Sequence, residues 1–133
     1  MRVMVDTNIL VSAAVLSSQN LLLVLDKLAE NHTIVLSTYV VDELKRVTKE
    51  KFSNRYDVIE NFLHELPYEL VHTPDKIDPT QYPDIRDEKD LPVLVSAINE
   101  DVDVLLSGDK DFASLEMNRP EVLTTKAFIE KYC

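Results

Sequence analysis

The sequence predicts an α/β fold of three layers, with a central, mostly parallel sheet between two layers of helices. Two observations carry that reading. Apolar, β-branched runs alternate with segments of helical periodicity from end to end, and parallel strands need crossovers of helical length. The chain also has 133 residues, 45% of them hydrophobic, which suits one domain over residues 1–133 and leaves no room for two ordinary ones.

The elements follow in order. Residues 2–6, RVMVD, read as a short apolar strand ending on a carboxylate, and a helical stretch runs on through Ile9, Leu10, Ala13, Ala14 and Leu16. A second helix is expected from Asn20 to Glu30. Its apolar positions Leu21, Leu22, Val24, Leu25 and Leu28 are too dense for a solvent-facing helix, so it should be largely buried or cover a partner. The run 33–37, TIVLS, is the next strand, and Ser37 or Thr38 can cap a helix carrying Val40, Leu44 and Val47 at helical spacing. Another helix near Arg55 to Leu66 has Val58, Ile59, Phe62, Leu63 and Leu66 as its inner face, and Tyr68 to His72 is a candidate strand. From Thr73 to Asp87 the composition turns polar and includes Pro74, Pro79 and Pro83, which reads as a loop within the fold. A helix then carries Val93, Leu94, Ala97 and Ile98, followed by the strand Val102 to Leu106, which Ser107-Gly108-Asp109 closes. Val122 to Thr124 is a short strand, and Thr125 to Tyr132 the last helix.

Composition excludes several function classes. The opening MRVMVDTNILVSAAVL is apolar enough for a signal peptide, but Asp6 and Asn8 interrupt it and no small-residue cleavage site follows. No stretch approaches the roughly 20 apolar residues that a membrane helix needs, so a cytoplasmic setting without membrane is expected. The single cysteine, Cys133, cannot form an internal disulfide, and a thiolate metal site is not expected. One glycine, Gly108, rules out a glycine-rich phosphate loop. The formal charge of −10 is the wrong sign for holding polyanions by bulk electrostatics, unless acids gathered in one site are offset by bound cations.

Four acids each stand at a strand end or helix start. In open parallel sheets ligands bind outside the carboxyl ends of the strands, where Asp6 and Asp109 are expected. Each has a plain alternative as a helix N-cap. At 100° per residue, Glu43 borders the Val40, Leu44, Val47 stripe whereas Asp42 points away from it. Glu43 can equally be a boundary residue whose stem packs while its head reaches water. Asp90 precedes Val93, Leu94 and Ala97 by three, four and seven positions, in line with the apolar face, where a bare charge is costly unless paired or bound to metal. Pro92 places the helix start close by, so N-capping competes for Asp90 as well. Taken together, Asp6, Glu43, Asp90 and Asp109, with Asp111 two residues on, form a set that stays ionised only if cations neutralise it. All-oxygen ligation selects hard ions such as Mg²⁺ or Mn²⁺, which can activate water for phosphodiester hydrolysis.

At these residues the sequence resembles the PIN-domain family, over nearly the whole chain. VDTNIL carries the first signature, with its aspartate at Asp6 and polar neighbours Thr7 and Asn8; the glutamate falls on Glu43 within STYVVDEL. The third acid falls on Asp90 in RDEKDLPVLVSA and the fourth on Asp109 in LLSGDKDF, with Ser107 where the family has Thr or Ser. The segment from Arg86 to Phe112 and the closing VLTTKAFIEKY look most like the VapC-like branch, described as toxins of toxin–antitoxin pairs. Thr125 departs from the proline often found there, which touches the last helix and not the chemistry.

The resemblance implies a PIN-like fold and an endoribonuclease dependent on Mg²⁺ or Mn²⁺, often a homodimer and, in toxin members, inhibited by an antitoxin protein. It implies that Asp6, Asp90 and Asp109 hold metal, with Glu43 completing the cluster and orienting the attacking water, and Asp111 as an additional acid. Thr7, Asn8 and Ser107 become candidates for fixing the carboxylates, a role compatible with simple capping and turn chemistry. Arg46, Lys45, Lys49 and Lys110 are available to substrate phosphate, and none is singled out.

His32, His64 and His72 lie at no metal-ligand spacing, and Tyr56, Tyr68 and Tyr82 are expected in core or rim packing. The non-enzymatic alternative is a PIN-like scaffold that binds RNA or protein; retention of every matched acid argues against it. A phosphorelay receiver would show adjacent acids after the first strand, where this chain has Thr7 and Asn8. An aspartyl-nucleophile phosphatase would want a proton-transferring acid where Asn8 stands.

Overall fold

In the computed structural model, which describes residues 1–115 and 117–133, strand β1 (Arg2–Val5) runs through the middle of a five-stranded sheet. The other strands are β2 (Thr33–Ser37), β3 (Glu69–Val71), β4 (Val104–Leu106) and β5 (Glu121–Leu123), in the order β3-β2-β1-β4-β5. Every pairing is parallel, with Val3 opposite Ile34 on one side and Val104 on the other. Central parallel strands are covered on both faces, and Val3, Met4, Val5, Leu36, Leu105 and Leu106 are accordingly buried without alternation.

Connections to β2 and β3 step one way from β1, and those to β4 and β5 step the other. Because such crossovers are right-handed, the two sets of helices cover opposite faces, giving the three-layer α/β arrangement. The helices are α1 (Thr7–Leu10), which continues as a wider π-helical turn over Val11–Val15, α2 (Gln19–Asn31), α3 (Thr38–Lys51) and α4 (Tyr56–Glu65). After β3 come α5 (Leu91–Asn99), the short α6 (Lys110–Ala113) and α7 (Thr125–Tyr132). Hydroxyl caps begin three of them: Ser18 Oγ accepts the Leu21 N–H, Ser37 Oγ the Val40 N–H and Thr124 Oγ1 the Ala127 N–H. Among the described residues no single helix is long and apolar enough to cross a membrane.

Four details depart from the sequence reading, the first on α4, where Ile59 and Leu63 are buried but Val58, expected on the inner face, is 39% exposed. On α3 the buried stripe is Val40, Leu44 and Thr48, with Val47 only partly covered. Thr48 can be buried because its hydroxyl donates to the Leu44 carbonyl at 2.7 Å and leaves no polar atom unmet. On α2, Val24, Leu25 and Leu28 are buried, but Leu23 is 60% exposed, since one helix face cannot bury a continuous apolar run. Strand β4 begins at Val104, because the Val102 N–H goes to the Ala97 carbonyl at 3.2 Å instead of to the sheet.

Candidate active site

Strand order reverses between β1 and β4: the chain leaves β1 toward β2 on one side and later returns to β4 on the other. At such a switch point the loops diverge and open a crevice outside the carboxyl ends of the strands. Asp6 follows β1 there and Ser107-Gly108-Asp109 follows β4, with the Asp6 N–H donating to the Leu106 carbonyl at 3.1 Å to join the two ends.

Asp6 is 4% exposed. Its Oδ1 accepts the Thr7 N–H at 2.7 Å, so it does cap α1, and its Oδ2 accepts the Ser107 hydroxyl at 2.8 Å. Burial pushes its carboxyl up from the ordinary value. The Ser107 and Thr7 donors act in the opposite direction, and the charges of Glu43 and Asp109 add to the rise. Capping and membership of the acid cluster therefore coexist in one side chain. Ser107 Oγ also accepts the Asp109 N–H at 3.1 Å, so a single hydroxyl fixes the carboxylate of Asp6 and the backbone that carries Asp109. Asp109 in turn caps α6, its Oδ1 accepting the Asp111 N–H at 2.8 Å.

Asp90 behaves differently. It stands at the N-cap position of α5, in helical conformation (φ −83°, ψ −18°), and its side chain makes no capping hydrogen bond. The competing explanation of Asp90 as a cap is thus not realised. One carboxylate oxygen, Oδ2, is buried without any hydrogen-bond partner. Burial first, then the nearby Asp109, Asp6 and Asp87, push its carboxyl up to about 7. Capping falls to Asp87, whose Oδ1 accepts the Lys89 N–H at 3.0 Å in the short 3₁₀ turn Glu88–Asp90.

Glu43 reaches the cluster from α3 and is half-buried, with 19% of its side chain exposed. The Tyr39 hydroxyl donates to its Oε2 at 3.3 Å, and the Arg46 guanidinium lies 3.8 Å from the same oxygen. Burial and the Glu43 charge raise the Tyr39 phenol above its usual range, so it remains a donor. Asp42 is exposed, as its helical phase requires.

Among the described residues, one set of three acids brings an oxygen from each within 4.8 Å of the others: Asp87, Asp90 and Asp111. Asp90 is therefore shared between this set and the Asp6, Asp109 side of the crevice. Asp87 and Tyr39 were not among the sequence candidates. Their signal was spacing, since Asp87 precedes Asp90 by three positions and Tyr39 precedes Glu43 by four, each one turn away. Of the flanking polar residues, Ser107 binds the acids directly, whereas the Thr7 hydroxyl is buried with no partner. Asn8 is exposed and lines a groove beside Gly108 and Asp109. Lys110 is exposed, and Arg86 and Lys89 border a second groove with Asp87 and Asp111.

Among the described residues, no ion pair to Lys or Arg involves Asp6, Asp90, Asp109 or Asp111. A buried, unpartnered carboxylate oxygen facing other carboxylates is unfavourable unless a proton or a cation is shared among them. The donor set is all oxygen, which suits a hard divalent ion and not a soft one, so these residues fit Mg²⁺ or Mn²⁺.

Comparison with known proteins gives three findings. The family model described as PIN domain matches residues 2–111. No curated protein matches the chain. Among solved structures, the crystal structure of VapBC2 from Rickettsia felis bound to a DNA fragment from their promoter is similar, with a TM-score of 0.72. The match covers 93% of this chain and 98% of that one at 24% identity, a likeness of fold.

Proposed function

This chain belongs to the PIN-domain family, and from that premise we propose that it is a metal-dependent endoribonuclease serving as the toxin of a toxin–antitoxin pair. The observation that carries the reading is Asp90: a carboxyl held up to about 7, with a buried oxygen lacking any partner, beside Asp6 and Asp109. A purely structural acid at that position would cap α5, and this one does not.

In this reading Asp6, Asp90 and Asp109 would hold Mg²⁺ or Mn²⁺ with Glu43 completing the cluster, and Asp111, with an oxygen within 4.8 Å of one of Asp90, would supplement them. The ion would supply a more acidic bound water and stabilise the leaving oxygen of a phosphodiester. The chain's own part is positional. Ser107 sets the rotamer of Asp6 and the backbone of Asp109 through one hydroxyl. Tyr39 orients the Glu43 carboxylate, which from its half-buried place would align the attacking water. The partners of such an enzyme are RNA as substrate, an inhibitory antitoxin and a second copy of the chain, and its setting is the cytoplasm. The toxin assignment rests on the VapC-like motifs and on the VapBC2 fold neighbour.

Incubating the purified chain with a mixed RNA pool tests the proposal. Cleavage is expected with Mn²⁺, and is lost on adding EDTA and in Asp6→Asn. Cleavage that survives both EDTA and the substitution overturns it, and specific RNA retention without cleavage would favour a binding scaffold.

A further inference from the structure

Two residues after β3 stands a threonine that does more than begin a loop. Thr73 is buried, and both its N–H and its hydroxyl are used between different elements. Its Oγ1 accepts the Tyr39 N–H at 3.2 Å, and its own N–H donates to Thr38 Oγ1 at 3.0 Å. Thr73 Oγ1 also lies 2.8 Å from Ser96 Oγ, and Ser96 donates its hydroxyl proton to the Pro92 carbonyl at 2.9 Å. A carbonyl can only accept, so the Ser96 proton is committed and Thr73 must be the donor to Ser96. The result is a directed chain from the Tyr39 N–H through Thr73 and Ser96 to the carbonyl of Pro92.

The two ends of that chain matter. Tyr39 sits in the first turn of α3, where N–H groups have no partner within the helix, and its hydroxyl holds Glu43. Pro92 sits in the first turn of α5, two residues after Asp90. Ser96 is fully buried, so water cannot substitute for these bonds at no cost. We propose that Thr73 is a positioning residue that locks the Glu43-bearing helix α3 against the Asp90-bearing helix α5. The spacing between two acids of the cluster is then set by a hydroxyl relay outside it. The consequence for metal and RNA rests on the function proposed above; the lock itself does not.

The test compares Thr73→Val, which keeps the shape and removes the hydroxyl, with Thr73→Ser, which keeps the hydroxyl. Thr48→Val is the control, because Thr48 is likewise a buried hydroxyl, on α3, whose bond stays within that helix. Amide exchange by NMR should find Tyr39 protected in the wild type and in Thr73→Ser, and unprotected in Thr73→Val. Mn²⁺ affinity and RNA cleavage at saturating Mn²⁺ should each fall about tenfold in Thr73→Val, as expected for a group that orients ligands. Thr73→Ser should restore both, and Thr48→Val should leave both unchanged at a comparable loss of thermal stability. Unaltered Tyr39 protection in Thr73→Val, or equal losses in Thr48→Val, would overturn the proposal. A wild type that binds no Mn²⁺ and cleaves no RNA would sink the nuclease reading, while the Tyr39 amide still decides whether Thr73 ties the helices.

Discussion

At the amino ends of the strands, Asp103 accepts the Arg2 N–H at 2.8 Å and lies 3.0 Å from the Arg119 guanidinium, which also binds Asp101 at 2.6 Å. Arg2 reaches Glu69 and Glu100, and Lys131 reaches Glu121. The Arg2 N–H holds the Asp103 carboxyl below its ordinary value, and Lys131 does the same for Glu121. At the carboxyl ends the acids are as dense, yet Asp6 and Asp90 are pushed up, and among the described residues no Lys or Arg pairs with them. One molecule thus handles acids in two ways. Where a carboxylate meets a cation from its own chain, it contributes modestly to the fold. Where burial and neighbouring carboxylates outweigh the hydrogen bonds it accepts and no cation of the chain pairs with it, its cost is left for something external to relieve, and that is the mark of a site.

The comparison can be broken at either edge. The largest effect is expected from Asp90→Asn, which should cut RNA cleavage by at least about 100-fold, beyond what supporting groups alone are worth. The same substitution should raise the melting temperature of the metal-free protein, because it removes the unmatched charge. Ser107→Ala comes next. Losing the bond that holds Asp6 and supports Asp109 should cost about tenfold in cleavage and ~2 kcal/mol of stability, as for a hydrogen bond to a charged group.

Acidity separates the edges by sign. A folded-state pKa raised above the unfolded value means that the native state binds more protons between the two. Metal-free stability should therefore fall as pH rises from near 3.8 to about 7 through Asp90, and stay flat above. Asp103 and Glu121 are held low, so their contribution is present above the ordinary carboxylate range and is lost only as pH falls below it. Denaturant titrations between pH 5 and pH 8 should show the downward slope, and saturating Mg²⁺ should flatten it. The smallest effect belongs to Asp103→Ala, which should lower stability by about 1 kcal/mol and leave cleavage unchanged. A loss of cleavage there would erase the distinction between the edges.

Much of this contrast is legible in the sequence wherever chemistry is local. Strand runs such as 33–37 are apolar and β-branched, and Ser37 and Thr124 announce their helices by capping type. Helical phase separates Glu43 from Asp42, because both face choices follow from 100° steps along one helix. Asp6, Asp90 and Asp109 are readable because each stands next to a strand or helix boundary. What is not readable depends on contacts without local pattern. Thr73 falls in a polar, proline-rich stretch and reads as loop, and its partners Tyr39 and Ser96 are 34 and 23 positions away. Asp87 hides behind Asp90, since neither spacing nor charge says which of the three acids Asp87, Glu88 and Asp90 in one turn will cap and which will be left bare. Val47 yields its place in the stripe to Thr48 because a hydroxyl can be satisfied inside the helix, an option that hydropathy does not count.

The most direct test is a calorimetric titration with Mn²⁺ of the wild type, Asp90→Asn and Asp103→Asn. The account predicts that wild type and Asp103→Asn bind the ion alike and gain thermal stability from it, as any ligand selective for the native state confers, while Asp90→Asn binds it far more weakly. Equal binding by all three proteins, or no binding at millimolar Mn²⁺, would contradict the claim that the carboxyl-end acids await a cation.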